Sequence, residues 1–421
     1  MLYFDTIEER YQYIMKLIAN DPSLIPSMDD LSNCCSNFLD INEVMKSVKP
    51  AMKYISSGSN GHTFHGFNLD NPENPIHYAI KVVAFPKNKY GEIMDQKRPE
   101  NAELLMIRLL GKLVLERQTP HLVLPITIFK TSIGHFVEFD DDEDRKKLLE
   151  EKRYKRFIDN HKEGIFHDKV SVLISEWADR GDLLNYMREN VENITLNQWK
   201  VIMFQLISCL TIIHQRYPTF RHNDMKANNI LVQKIKDPNS RQKGFHYRIN
   251  HNDYFVPSIG IMIKIWDFDF ACIPGIVDNA KVSANWTTKV NITPKQNQYY
   301  DLHYFLNTIG KKGFVDNFYE SIPNEFKDFI HRVIPPEYRN DTKYVTKKGR
   351  LLIDTEYTTP LLILENDSFL KEFRKKPKDN LTTNIMTASQ APTLKSKQGA
   401  KNEIIIDLKE YSFTTSTSED E

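Results

Sequence analysis

Residues 221–232 read Arg221-His222-Asn223-Asp224-Met225-Lys226-Ala227-Asn228-Asn229-Ile230-Leu231-Val232, a polar loop that runs into an apolar, β-branched strand. Within it an aspartate is followed two residues on by a lysine and five residues on by an asparagine. One tight loop therefore carries a carboxylate that can accept a proton, an ammonium that can neutralise developing negative charge, and an amide oxygen that can ligate a hard cation. A polar surface loop would have to produce all three types at this spacing by chance. Asp224, Lys226 and Asn229 are accordingly the first candidate site residues.

Upstream of the loop, Thr195 and Gln198 have the spacing of a capping box, which predicts a helix beginning there. Trp199, Ile202, Met203, Leu206, Ile207, Leu210 and Ile213 then recur at steps of three and four, a stripe that reads as core. Downstream, Ile263-Lys264-Ile265-Trp266-Asp267-Phe268-Asp269-Phe270 sets an acid at the end of an apolar strand. An isolated Asp-Phe-Asp is usually a surface turn. Following the loop above, it supplies Asp267 as a second metal ligand.

Towards the N-terminus the texture is of short strand-like runs, Met52 to Ile55, Tyr78 to Val83, His121 to Phe129 and Val170 to Ser175, with one helical stretch around Asn101 to Leu115. Ser56-Ser57-Gly58-Ser59-Asn60-Gly61 lies between the first two extended runs. Small residues there let backbone amides approach a phosphate, although a hairpin turn alone would explain them. Lys81 sits in the apolar strand Ala79-Ile80-Lys81, where an ammonium is costly unless it faces an anion or the strand lies at an edge. The stretch about 138–168 is charge-rich and predicts a surface insertion, a solvated helix rather than a docking site. Residues 1–48 show helix-like apolar spacing interrupted by Pro22 and Pro26, and from about 377 the chain is too polar to bury much surface, which predicts a disordered tail over 377–421.

The chain has 421 residues, with lysine plus arginine and aspartate plus glutamate at 56 each, so charge gives no argument for a nucleic-acid or membrane-surface partner. Four cysteines without metal-binding or redox spacing point to a reducing compartment. No signal-like N-terminus is evident, and no apolar run approaches the ~20 residues that span a bilayer, so a soluble intracellular protein is expected.

Taken in order, the glycine-containing loop, Ala-Ile-Lys, a helix with a glutamate, His-x-Asp-x-Lys-x-x-Asn and Asp-Phe-x resemble the protein kinase catalytic domain over about Tyr54 to Asp301. Asp-Phe-Asp-Phe in place of Asp-Phe-Gly, and Gln298-Tyr299-Tyr300-Asp301, are similar to the divergent serine/threonine kinases of large DNA viruses, including the poxvirus virion-assembly kinase.

The resemblance implies an α+β, two-lobed protein kinase-like fold, with a small antiparallel N-lobe sheet carrying one helix and a mainly helical C-lobe. The expected divisions are an extension over 1–48, an N-lobe over 49–177 that includes the insertion, a C-lobe over 178–376, and the tail. It further implies an ATP-dependent protein serine/threonine kinase that uses magnesium, with manganese also tolerated. The expected partners are proteins bearing serine or threonine, with self-phosphorylation, no nucleic acid and no membrane span. The implied setting is the host-cell cytoplasm, with packaging in the virion a further implication.

Residue by residue, the resemblance gives Lys81 the α- and β-phosphates and a pairing glutamate, Glu103 first and Glu100 in reserve. Asp224 becomes the base, Lys226 the cation on the γ-phosphoryl group, and Asn229 and Asp267 the magnesium ligands. The segment Ser56–Gly61 covers the phosphates. Glu176-Trp177-Ala178 lines the adenine after a gatekeeper-like Ser175, Gly181-Asp182 starts the next helix, and Asp301 bonds the catalytic-loop backbone.

Several departures are also visible. Ser56 replaces the first loop glycine, and no Ala-Pro-Glu closes the activation segment. Asn223 replaces the arginine that usually meets a phosphorylated activation segment, so activity without such phosphorylation is expected. Asp269 is expected to add a carboxylate beside the metal ligand and to hinder flipping of the Asp-Phe segment. Two other classes compete with a protein kinase. A small-molecule kinase of the aminoglycoside or choline type shares the base and asparagine but usually lacks the lysine, and a pseudokinase-type nucleotide-binding scaffold would explain the departures.

Overall fold

The computed structural model describes residues 10, 12, 38–41, 44, 50–57, 61–68, 77–138, 149–235, 244–310, 318–375 and 406–407. The first lobe is built on strands β1 (Pro50–Ser57), β2 (His62–Asn68), β3 (His77–Pro86), β4 (Pro125–Ser132) and β5 (Phe166–Glu176). All neighbours are antiparallel, in the order β1-β2-β3-β5-β4. Helix α1 (Pro99–Leu115) begins with proline at its first position, where the missing N–H costs no hydrogen bond.

Register decides which side chains share a face. Thr63, Lys81 and Leu173 stand opposite one another on one face, and Tyr54, Phe64, Ile80 and Ile174 on the other. The second face is covered by α2 (Lys152–Lys162), which lies within the charged stretch. Tyr154 and Phe157 are buried there, and their rings lie 5.2 Å from Tyr54 and 4.7 Å from His62 respectively. The charged stretch thus contributes an apolar stripe to the core as well as a solvated face.

The expected strand from His121 begins only at Pro125. Residues before it are spent on the other lobe: His121 bonds the Ile263 carbonyl at 3.0 Å, and its own carbonyl accepts from Ile265 N at 2.9 Å. From the N-terminal extension, Leu39 N donates to the Lys130 carbonyl at 3.0 Å, and Ile41 and Val44 are buried.

The second lobe contains α3 (Leu183–Asn190), α4 (Leu196–Arg216), α5 (Tyr300–Ile309), α6 (Asn324–Val333) and α7 (Pro360–Asn366). Asp182 caps α3, accepting from Asn185 N at 2.8 Å, and Thr195 with Gln198 forms the expected capping box on α4. Such a cap is worth about 1 kcal/mol. Among the described residues only α4 is long and apolar enough to cross a membrane, and it lies in the core, with Trp199 stacked on Phe326 at 4.5 Å.

Two hairpin-like pairs interrupt the helices. Strand β6 (Ile230–Lys234) pairs with β9 (Ile261–Ile265), and β7 (Gly244–Ile249) with β8 (Asn252–Pro257). Residues Ile406–Asp407 pair with Tyr247 and His246. The tail is otherwise outside the described residues, as is most of the 1–48 extension.

Candidate active site

Strands β6 and β9 position the chemistry. Ile230 stands opposite Ile265, so the residues just outside the pair, Asn229 and Trp266, are neighbours, and Trp266 N donates to the Asn229 carbonyl at 3.0 Å. Asp267 follows at once. Its φ of +61° lies in the left-handed region, which aspartate tolerates better than most residues and which is common where a side chain must be aimed.

Lys81 lies between the lobes, its ammonium 2.5 Å from Glu103 Oε1 and 3.0 Å from Asp267 Oδ1. Burial works against its charge, but the carboxylates of Asp267 and Glu103 hold it above the ordinary lysine value. Burial pushes Glu103 up, with Lys81 restraining it; burial also acts to raise Asp267, but Lys81 holds it below the usual carboxylate range. Glu103 is therefore the partner, while Glu100 pairs with Arg98 at 3.1 Å.

In the loop 222–229, Lys226 Nζ is 2.9 Å from Asp224 Oδ2. Asn229 Nδ2 donates to the same oxygen at 3.0 Å and to the Asp224 carbonyl at 2.8 Å, so the amide oxygen is the end suited to a cation. Asp301 accepts from His222 N at 2.7 Å and Asn223 N at 2.8 Å, the expected hold on the loop backbone. Asn223 has φ +62°, a conformation asparagine tolerates, and its amide reaches the carbonyls of Phe270 at 3.1 Å and Thr293 at 3.3 Å.

At the roof, β1 and β2 form the hairpin in which Ser56 and Ser57 pair with Thr63 and His62. Gly58, Ser59 and Asn60 lie outside the described residues. A Cβ on Gly61 would stand 2.8 Å from the Val82 carbonyl oxygen, so the strands approach closely only because this residue is glycine.

At the hinge the Glu176 side chain is buried, accepting from Arg10 Nε at 3.0 Å, Lys264 Nζ at 2.7 Å and Leu124 N at 2.8 Å. Two cations inside the protein draw the carboxylate inward, and what Glu176 can offer an adenine is its backbone. Burial would raise the Glu176 pKa, but Arg10 and Lys264 hold it at about 2. Arg10 already balances that carboxylate, so burial and Arg10 push Lys264 down to about 7. Ala178 is buried beside this segment, as is Ser175.

Asp269 is paired with Lys281, and its carbonyl accepts from Asn279 Nδ2 at 2.9 Å, which ties it to the segment that follows. Among the described residues no cluster of three histidine, cysteine or acidic side chains could hold a metal alone. Asn229 and Asp267 fit magnesium, which binds through one or two protein oxygens together with substrate phosphates and water.

Three contributors were not singled out from sequence. Arg350 donates to Asp224 Oδ1 and to the Asn223 carbonyl, and Arg10 and Lys264 form the cluster behind the hinge. Lys264 in the apolar run Ile263-Lys264-Ile265 carried the same signal as Lys81. Arg10 and Arg350 carried no local signal.

A family model described as poxvirus serine/threonine protein kinase matches residues 169–347. A protein of Acanthamoeba polyphaga mimivirus, provisionally named a serine/threonine-protein kinase, is 46% identical over 340 residues, covering 80% of this chain and 72% of that protein. A second mimivirus protein with the same provisional name is 25% identical over 387 residues, 85% of this chain and 92% of that one. Serine/threonine-protein kinase 2 of fowlpox virus is 30% identical over 191 residues, 44% of this chain and 38% of the fowlpox protein. With this similarity and the Lys81–Glu103 and Asp224–Asn229 geometry in one molecule, the chain belongs to the serine/threonine protein kinase family of large DNA viruses.

Proposed function

We propose that this chain is a catalytically active kinase that transfers the γ-phosphoryl group of ATP to serine or threonine hydroxyls of proteins. The observation that carries the proposal is Lys81 bonded at once to Glu103 and Asp267, next to a catalytic loop whose base is fixed by Lys226 and Asn229. A chain released from catalysis has no reason to keep all six groups in register.

In this reading Lys81 holds the α- and β-phosphates, and Glu103 fixes the lysine. The segment Ser56–Gly61 is assigned to the phosphates, and the backbone of Glu176 and Ala178 to the adenine. Asp224 orients the substrate hydroxyl and takes its proton as the oxygen bonds to the γ-phosphorus. The bond from that phosphorus to the bridging oxygen breaks and ADP leaves, with Lys226 neutralising charge on the moving group. Asn229 and Asp267 would hold magnesium or manganese, which would supply charge neutralisation to the phosphates.

The test is transfer of labelled γ-phosphate, with either metal, to a general protein substrate and to the chain itself. Wild-type incorporation on serine or threonine that Asp224→Ala and Lys81→Met both abolish is the expected result. A nucleotide-dependent thermal shift without transfer to any protein would instead identify a kinase-shaped binding scaffold.

A further inference from the structure

Asp224 is held by a residue far from it in sequence. Arg350, 126 residues downstream, donates from Nη2 to Asp224 Oδ1 and from Nη1 to the Asn223 carbonyl and, at 3.4 Å, to the Tyr300 hydroxyl. Its guanidinium lies 4.2 Å from the Tyr304 ring centroid, and the residue is only 7% exposed. We propose that Arg350 is a positioning residue that fixes the orientation of the Asp224 carboxylate for phosphoryl transfer, a role that rests on the kinase reading above.

The residue is delivered by a small turn built for that purpose. Val345 and Leu351 form a bridge, Thr346 N donates to the Arg350 carbonyl at 2.8 Å, and Arg350 N donates to Thr346 Oγ1 at 3.0 Å. Gly349 closes the turn at φ +91°, and a Cβ there would stand 3.2 Å from Asn307 Cβ, so the turn can lie on α5 only with glycine. Leu351 is fully buried, and the carbonyls of Leu351 and Ile353 accept from Asn291 Nδ2 at 3.0 and 3.1 Å. A segment packed into the lobe on two sides is a fixed part of the site, not a plug that swings away.

The electrostatic layout favours positioning as well. Lys226 and Asn229 hold Oδ2 while Arg350 holds Oδ1, so rotation of the carboxylate is arrested from both ends. Each carboxylate oxygen accepts in more than one direction, which leaves Oδ1 room for a substrate hydroxyl. The arginine next to the base is absent from the loop itself, where Asn223 stands, and Arg221 is spent on the activation segment. Arg350 supplies a forked cation that the local sequence lacks.

The experiment compares wild type, Arg350→Met and Arg350→Lys in full-length protein, with magnesium and ATP, measuring kcat, both KM values, the nucleotide-induced thermal shift and rescue by added methylguanidinium. The expected result is a kcat lower by about 10- to 100-fold in Arg350→Met. KM for ATP and the thermal shift stay unchanged, Arg350→Lys recovers part of the loss, and methylguanidinium recovers part of it in Arg350→Met. Unchanged kcat in both variants, a rise in kcat, or a change confined to the protein KM would each overturn the proposal, as would loss of the nucleotide shift in both variants. If wild type itself transfers no phosphate, the kinase reading fails instead, and the two failures are distinct.

Discussion

Arg10 and Glu176 are bonded across the back of the hinge, Arg10 Nε to Oε2 at 3.0 Å, with Arg10 Nη2 also donating to the Leu122 carbonyl at 2.8 Å. The side chains are 2% and 6% exposed, so the N-terminal extension enters the interior at the joint between the lobes. Arg10→Met leaves Glu176 paired with Lys264 but deprives the Pro120 and Leu122 carbonyls of the guanidinium that bonds them. It should therefore lower stability by about 1–3 kcal/mol. Equilibrium urea unfolding measures this, and an unchanged midpoint would mean that the pair is not formed in solution.

Lys264 makes stability depend on pH. Its folded pKa, about 7, lies below the ordinary 10.5, so between these values the unfolded chain binds more protons than the folded one. Stability contributed through this residue accordingly rises with pH across that window and is least below it. Lys264→Met removes the effect while Arg10 still balances Glu176. Unfolding midpoints at about pH 7 and about pH 10 should show wild type gaining on Lys264→Met as pH rises; parallel curves would refute the shift.

Arg221 ties down residues 291–295 through neutral partners. Its guanidinium bonds the Asn291 carbonyl at 2.7 Å, Thr293 Oγ1 at 2.9 Å and the Lys295 carbonyl at 3.2 Å, and it lies over Tyr300 at 3.7 Å. Phosphatase treatment should leave the transfer rate unchanged. Arg221→Gln should cost about 1–3 kcal/mol through buried carbonyls left unpaired. Activity lost on dephosphorylation and recovered by self-phosphorylation would count against this mode of ordering.

The Asp269–Lys281 pair ties the Asp-Phe segment to residues further along the activation segment, and Lys281 also lies 4.0 Å from the Phe270 ring centroid. Asp269→Asn strands a buried lysine. A loss of about 3–5 kcal/mol is expected, together with faster proteolysis between 270 and 298. Equal cleavage rates in the two proteins would show that the pair does not restrain the segment.

The sequence was most legible where chemistry and local structure coincide. Asp224, Lys226 and Asn229 sit within one loop, so their spacing survives folding, and the α4 capping box is a purely local device. Glu103 was legible because helix α1 places it within reach of Lys81 while Glu100, one turn earlier, meets Arg98. The inward turn of the Glu176 carboxylate was not legible, because a hinge position says nothing about which way a carboxylate turns. That direction is set by Arg10 and Lys264, which approach from 166 and 88 residues away. Arg350 was invisible for the same reason, since its role exists only once a turn near α5 meets the catalytic loop.

Helix α2 gives the first lobe a second hydrophobic side. Tyr154 donates to the Phe136 carbonyl at 2.7 Å and sits edge-on to Tyr54 and Phe64, so the sheet is sandwiched rather than half wet. Anyone shortening this protein by excising the charged stretch as dispensable would strip that cover. The freshly bared aromatic wall would invite aggregation, and the sheet would lose the support that keeps its Lys81 face aligned.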